Sequence, residues 1–296
     1  MDMSVVHGSV VVGVDGSEPA AAALDWAVRQ AALENRPLTV VHACGMPGAM
    51  QDFEDIVANE RGLLSVGRSI ARDAVREARE ADGTIGVESV VTMGHPETVL
   101  IQASETADML VIGARGRGTV ASALLGSVSA TIARESNCPL IVVRGFEELP
   151  EDEPERPVVV GVDGTPVSTA AVEFGFRMAS VRRAPLTLLH ATWDLREHAA
   201  PVLDLRSYSD KVNLSEEEER LVAETVAGLC EKYPDVAVTE TYRRGEPVRQ
   251  LVEASRTAGL LVVGTRGRRL LTTTLLGSVS RGVVERAYCP VAVVRP

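Results

Sequence analysis

The sequence is poor in several things, and each shortage excludes a class of protein. Aromatic residues make up 3% of the 296 residues. Any core must therefore be built from Val, Leu, Ile and Ala, the composition of buried parallel strands covered by helices. Basic residues are in the minority: 30 Lys and Arg stand against 41 Asp and Glu, a formal net charge of −11. A general nucleic-acid binder needs a basic face, and this balance argues against one. It leaves room for a small anionic ligand, which backbone amides bind without side-chain charge. The four cysteines stand at 44, 138, 230 and 289. No two have CxxC spacing and none cluster as zinc ligands do, so reduced, mostly buried thiols are expected. No run of about 18 apolar residues occurs, so no membrane span is expected. The start, MDMSVVHGSVVVGVDGSEP, lacks the basic and then apolar stretch of a secretory signal. A cytoplasmic protein is expected. Two familiar nucleotide fingerprints are also missing: GxxxxGK[ST], and GxGxxG after the first apolar run.

What is present is a repeat. Residues 10–43 and 158–191 agree at about half their positions without a gap, and residues 94–145 and 245–296 do the same. The middles, 44–93 and 192–244, differ in sequence and by three residues in length. A period near 150 residues is a duplicated domain rather than a solenoid. Domains are expected over 1–147 and 156–296, joined by the acidic, Pro-rich stretch FEELPEDEPERP at 146–157, which reads as a solvated linker.

Within each half, apolar runs alternate with amphipathic stretches. Strands are expected near 9–14, 38–43, 87–92, 109–113 and 139–143, with helices near 18–35, 60–81, 96–106 and 127–136. The second half places strands near 157–162, 186–191, 236–242, 260–264 and 290–294, with helices near 167–183, 215–232, 247–257 and 278–287. Ser215 and Glu218 have the spacing of a capping box. Continuous runs such as VVVGV imply strands buried on both faces. Alternating strands and helices with right-handed crossovers make a doubly wound parallel sheet. Ligands of such sheets bind beyond the carboxyl ends of the strands, at the switch point.

At those ends stand two constellations. Asp15, in VGVDGS, is matched by Asp163, in VGVDGT. An Asp-Gly pair is a common turn, but a carboxylate ending an apolar strand also suits a ribose hydroxyl or an adenine amine. Ser17 and Thr165 read as caps of the next helix. After the fourth strand come Gly113, Gly116, Gly126 and Ser127, matched in spacing by Gly264, Gly267, Gly277 and Ser278. Gly113 and Gly116 are expected to take positive φ and aim amides at an anion. Gly126 is expected to let the backbone approach closely. Ser127 opens a helix, where free amides and the dipole favour phosphate. Arg115 and Arg117, with Arg266 and Arg268, add charge.

These residues resemble the universal stress protein family in its tandem, ATP-binding form, whose motif G-x2-G-x9-G-[ST] both halves match. The likeness extends to the first-strand aspartate, the HA pair after the second strand, the GxP before the third helix and the CP-initiated last strand. It implies α/β architecture: two tandem Rossmann-like domains (adenine nucleotide alpha hydrolase-like), each a five-stranded doubly wound parallel sheet. It implies ATP, with or without Mg²⁺, as the ligand. Asp15 and the backbone of Ala43 would hold adenine or ribose, with Ile112, Gly113, Arg115, Gly116, Gly126, Ser127 and Val128 around the ribose and phosphates. The matching set is Asp163, Ala191, Val263, Gly264, Arg266, Gly267, Gly277, Ser278 and Val279. Arg269 in place of Gly118 sets the second loop apart. The last strands, CPLIVVRG and CPVAVVRP, would pair inside the chain as a pseudo-dimer, and two chains would form a homodimer.

Other residues carry blander readings. His42 and His190 read as half-buried and bonded to backbone, because no acid partner or nucleophile stands at a recognisable spacing. Cys138 and Cys289 read as small core residues, and Cys44 and Cys230 support no site. Residues 216–219, EEEE, read as a solvated helix start. Trp26 and Trp193 read as packing. Three functions compete: a nucleotide-gated regulatory module, a slow ATP hydrolase or phosphotransferase using Asp15 or Asp163 through Mg²⁺, and a scaffold that has lost its ligand.

Overall fold

The computed structural model of the chain describes residues 6–45, 53–116, 125–144, 156–163, 167–192, 216–265 and 276–295. The chain divides into two compact units, Met1–Leu149 and Pro150–Pro296. The expected linker lies outside the described residues as far as residue 155.

In the first unit the order is β1 (Val10–Gly13), α1 (Glu18–Glu34), β2 (Leu38–Cys44), α2 (Phe53–Ala81), β3 (Val87–Met93), α3 (Pro96–Ala103), β4 (Met109–Gly113), α4 (Ser127–Glu135) and β5 (Leu140–Val143). The strands lie in the order β3-β2-β1-β4-β5. All pairs are parallel, with Val10 opposite both Leu38 and Met109, and Leu110 opposite Leu140. Helices α1 and α2 pack together, as do α3 and α4, while α1 lies on β1 and β4 and α2 on β2 and β3.

The second unit repeats this with β6 (Val158–Val162), α5 (Val167–Arg182), β7 (Leu186–Thr192), α6 (Glu216–Lys232), β8 (Val238–Arg244), α7 (Pro247–Ala254), β9 (Leu260–Gly264), α8 (Ser278–Arg286) and β10 (Val291–Val294). Its order is β8-β7-β6-β9-β10, again parallel. Each unit is thus a five-stranded doubly wound parallel sheet, the expected α/β class. No helix among the described residues is long and apolar enough to cross a membrane.

The central strands are apolar throughout because both faces are covered. Val10, Val11, Val12, Met109, Leu110 and Val111 are fully buried, each worth roughly 1.5–3 kcal/mol relative to exposure. Strand bounds fall within two residues of expectation. Helix α2 starts at Phe53, seven residues before the expected 60, because FEDIVANE carries apolar residues at i, i+3 and i+4 and acids suited to a helix start. Helix α3 stops at Ala103, short of 106, because the Ser104 hydroxyl turns back to the Ile101 carbonyl at 2.6 Å. Ser215 lies outside the described residues, so its capping box remains an expectation.

The helices that follow β1 and β6 end alike. In α1 the amides of Asn35 and Arg36 close on the carbonyls of Ala32 and Ala31, at 3.1 and 2.9 Å, with Asn35 left-handed at φ 50°. In α5, Arg183 and Ala184 close on Ser180 and Ala179, at 3.1 and 2.9 Å, with Arg183 at φ 53°. This is a Schellman stop, which favours Gly or Asn. A side chain with a β-carbon is strained there by roughly 1–2 kcal/mol, and glycine's looser unfolded chain gives part of that back. Arg183→Gly is therefore expected to stabilise the second unit by about 0.5–1 kcal/mol, read as a higher midpoint in thermal unfolding. An unchanged or lower midpoint would contradict the reading of this stop.

Candidate functional site

Strands β1 and β4 are neighbours although the chain leaves them for opposite sides of the sheet, so a crevice opens beyond their carboxyl ends. In the first unit it holds a cavity of about 820 Å³, within the usual range for small-molecule sites. Asp15, Ala43, Ile112, Gly113, Arg115, Gly116, Gly126, Ser127 and Val128 all border it. Nine residues from four segments are thus brought round one space.

The local folding explains how they meet. The Ala114 amide bonds the Val143 carbonyl at 2.8 Å, continuing the sheet past β4. The Gly126 amide returns to the Ala114 carbonyl at 2.9 Å, and the Ser129 hydroxyl donates to the Gly113 carbonyl at 2.9 Å. These bonds fix the first turn of α4 against the strand end. Gly126 is its N-cap and Ser127, exposed, its first residue. The amides of that first turn have no partner within the helix, and they face the cavity side with the positive end of the dipole.

The glycines act differently from expectation. Positive φ occurs at Gly8, Gly16, Gly94 and Gly245 among the described residues, and neither Gly113 nor Gly116 shows it. Gly113 is bare because a β-carbon would come 2.7 Å from the Pro19 carbonyl oxygen, so β4 and the start of α1 could not touch. At Gly116 the missing side chain leaves room for the Asp15 carboxylate. Gly126 is the exception: its φ of −69° suits any residue, and a β-carbon would meet the protein only at ordinary distances, 3.5 Å or more. Among the described residues nothing in the packing requires glycine there.

Ser17 stands at the N-cap of α1, but its hydroxyl does not cap it. It donates to Asp15 Oδ1 at 2.6 Å, and the Ser17 amide reaches the same oxygen at 3.0 Å. Donation to a charged acceptor is among the stronger hydrogen bonds, and it sets the direction in which the hydroxyl turns. Thr165 lies outside the described residues.

Sequence reasoning missed one wall. Leu63, Val66 and Ile70 of α2 border the cavity with Val41, Cys44, Pro96 and Leu100, and Val66 is 56% exposed. The three lie at i, i+3 and i+7 on one face of the helix. Ser129 was missed too, although Ser280 repeats it, donating to the Gly264 carbonyl at 2.5 Å.

In the second unit Asp163 follows β6, Ala191 lies in β7, Val263 and Gly264 end β9, and Gly277 caps α8 ahead of Ser278 and Val279. The Gly277 amide bonds the Thr265 carbonyl at 2.8 Å, as Gly126 bonds Ala114. Arg266, Gly267, Arg268 and Arg269, like Arg117 and Gly118, lie outside the described residues.

His42 is buried, and its Nδ1 lies 2.7 Å from the Val14 carbonyl. A carbonyl only accepts, so that nitrogen carries a hydrogen. His190 stacks on Tyr242, with ring centroids 5.7 Å apart. Trp26 is buried, and Trp193 lies outside the described residues. Burial pushes the Cys138 thiol up to about 11 and the Cys289 thiol up to about 12. Burial also raises Cys44, against the opposing charge of Arg68, whereas Cys230 is exposed. With a thiol reagent at pH 8 the native protein should show one fast cysteine, Cys230, and three slow ones that react on unfolding. Raised thiols favour the folded state below the unfolded value and lose that contribution above it. Stability should therefore fall as pH rises from about 9 towards 11 and 12. Fast labelling of Cys138 or Cys289 in folded protein would contradict this.

Comparison with known proteins gives a consistent picture. The universal stress protein family model matches residues 8–144 and 155–295. The universal stress protein Rv2005c of Mycobacterium tuberculosis is 39% identical over 305 residues, covering 98% of this chain and 97% of that protein. A universal stress protein from Archaeoglobus fulgidus shares the fold across 97% of this chain and 98% of its own, with a TM-score of 0.70 at 18% identity. A universal stress protein solved in complex with cAMP is 30% identical over 47% of this chain and 97% of its own, with a TM-score of 0.35.

Proposed function

Because the chain belongs to the universal stress protein family, with one matched segment in each unit, we propose that it is a nucleotide-dependent regulator that takes one ATP per domain. The observation that carries this reading is Gly126. It faces the cavity at the start of α4, and neither its backbone nor its neighbours among the described residues call for a missing side chain. A ligand that presses on the main chain does. Phosphate oxygens are such a ligand: they accept from first-turn amides, gain from the helix dipole, and pair with Arg115. The cavity also has an apolar lining, to which Val41, Leu63, Val66 and Ile70 contribute. A purine ring fits against that lining, with strand-end backbone groups at its edge. Asp15, which also borders the cavity, accepts a hydrogen bond from the nucleoside.

Among the described residues no group of three or more His, Cys, Asp and Glu would hold a metal ion. Mg²⁺ would enter with the triphosphate, which supplies most of its ligands. Of the side chains a hydrolase would recruit, His42 is already bonded to the Val14 carbonyl and Asp15 is committed to the nucleoside. This supports binding rather than turnover as the function: nucleotide occupancy orders the loops and changes what the protein docks to.

Mass analysis of ligand released from freshly purified, denatured protein tests the reading. We expect an adenine nucleotide, reduced in Gly126→Glu and in Gly277→Glu and lost when both are combined. Asp15→Ala should weaken ATP binding by roughly tenfold or more, the worth of a hydrogen bond to a charged group. A load that is the same in every variant would sink the proposal.

A further inference from the structure

Asp15 is held from two sides at once. Its Oδ1 accepts both the hydroxyl and the amide of Ser17. Its Oδ2 lies against the α-carbon of Gly116, in the space a side chain at 116 would fill. Ser17 stands at the start of α1, and Gly116 lies in the loop that leaves β4. The carboxylate therefore ties together the two segments that diverge at the switch point. Since Gly116 does not use positive φ, its bareness serves the carboxylate rather than a turn. A methyl group at 116 would force Asp15 to rotate, and rotation would break two hydrogen bonds to Ser17.

We propose that Ser17 and Gly116 are positioning residues for Asp15, locking its carboxylate in the one orientation that accepts a hydrogen bond from the bound nucleoside. They thereby set the selectivity of the first-domain site. The inference rests on the nucleotide reading above and adds a specificity device to it. The feature recognised is a neutral O–H or N–H donor, supplied by a ribose hydroxyl or by the adenine amine. A carboxylate fixed in one orientation rewards a ligand that places a donor on its axis over one that places none there. A carboxylate free to swing finds water instead and loses the distinction.

Calorimetric titration of the full chain tests this, with Gly277→Glu in every protein so that only the first-domain site is read. The titrants are ATP, 2′,3′-dideoxy-ATP, which lacks both ribose hydroxyls, and inosine triphosphate, which lacks the amine. The reference protein is expected to prefer ATP over one analogue by roughly tenfold or more. Ser17→Ala and Gly116→Ala should each bring that ratio close to one, and Ser17→Thr, which keeps the hydroxyl, should restore it. Added to Asp15→Ala, Gly116→Ala should change ATP affinity by less than about twofold. Thermal melts establish that each variant is folded. The inference is overturned if Ser17→Ala and Gly116→Ala weaken all three titrants in proportion, or if the reference protein binds ATP without preferring it to either analogue. If the reference protein binds none of the three, the nucleotide reading fails and takes this inference with it.

Discussion

Parallel strands must be joined by crossovers, and in each unit the crossovers leave the central pair in opposite directions. Strands β1 and β4 are hydrogen-bonded neighbours whose continuations part. The sheet cannot cover the ground between them, because each loop is committed to its own helix. Everything proposed for the molecule follows from that gap. It brings α1, α3, α4 and the end of β2 to one space, with three helix N-termini at its border. The fully apolar strands beneath make it rigid: Val10–Val12 and Met109–Val111 admit no polar residue, so the first polar groups along the chain are those at the rim.

At that rim three glycines of one motif have three separate causes. Gly113 is bare so that β4 can meet Pro19, Gly116 so that Asp15 can reach across, and Gly126 for no reason that the described residues supply. The first two shape the protein, and the third faces outward. Under the proposed function this division separates residues whose loss would disturb the fold from one whose enlargement would disturb only the ligand. It also explains how a chain with a net charge of −11 can hold a polyanion: the donors are main-chain amides, whose partial charges are fixed by geometry.

The duplication made much of this legible. Spacing shared by two otherwise diverged halves pointed to Asp15, the glycines and Ser127, and those residues stand around one cavity. The element order and five-strand sheets followed from apolar runs alternating with helical periods. Three things were not legible. The wall formed by Leu63, Val66 and Ile70 lies in α2, within the middle segment whose sequence the other half does not share; internal comparison is blind there. The Ser17 hydroxyl had two acceptable partners, the helix end and Asp15, and sequence does not tell which way a hydroxyl turns. Gly113 and Gly116 were expected at positive φ because glycine most often signals that, whereas here it signals contact between segments far apart in the chain.

The most direct measurement is a crystal structure of the full chain grown with a non-hydrolysable ATP analogue. The account predicts density in the first-unit cavity, with phosphates against the amides of Ser127 and Val128, the base beside Ala43 and the α2 wall, and the Asp15 carboxylate bonded to the nucleoside. A cavity without ligand at saturating nucleotide, or a triphosphate lying away from Gly126, would contradict it.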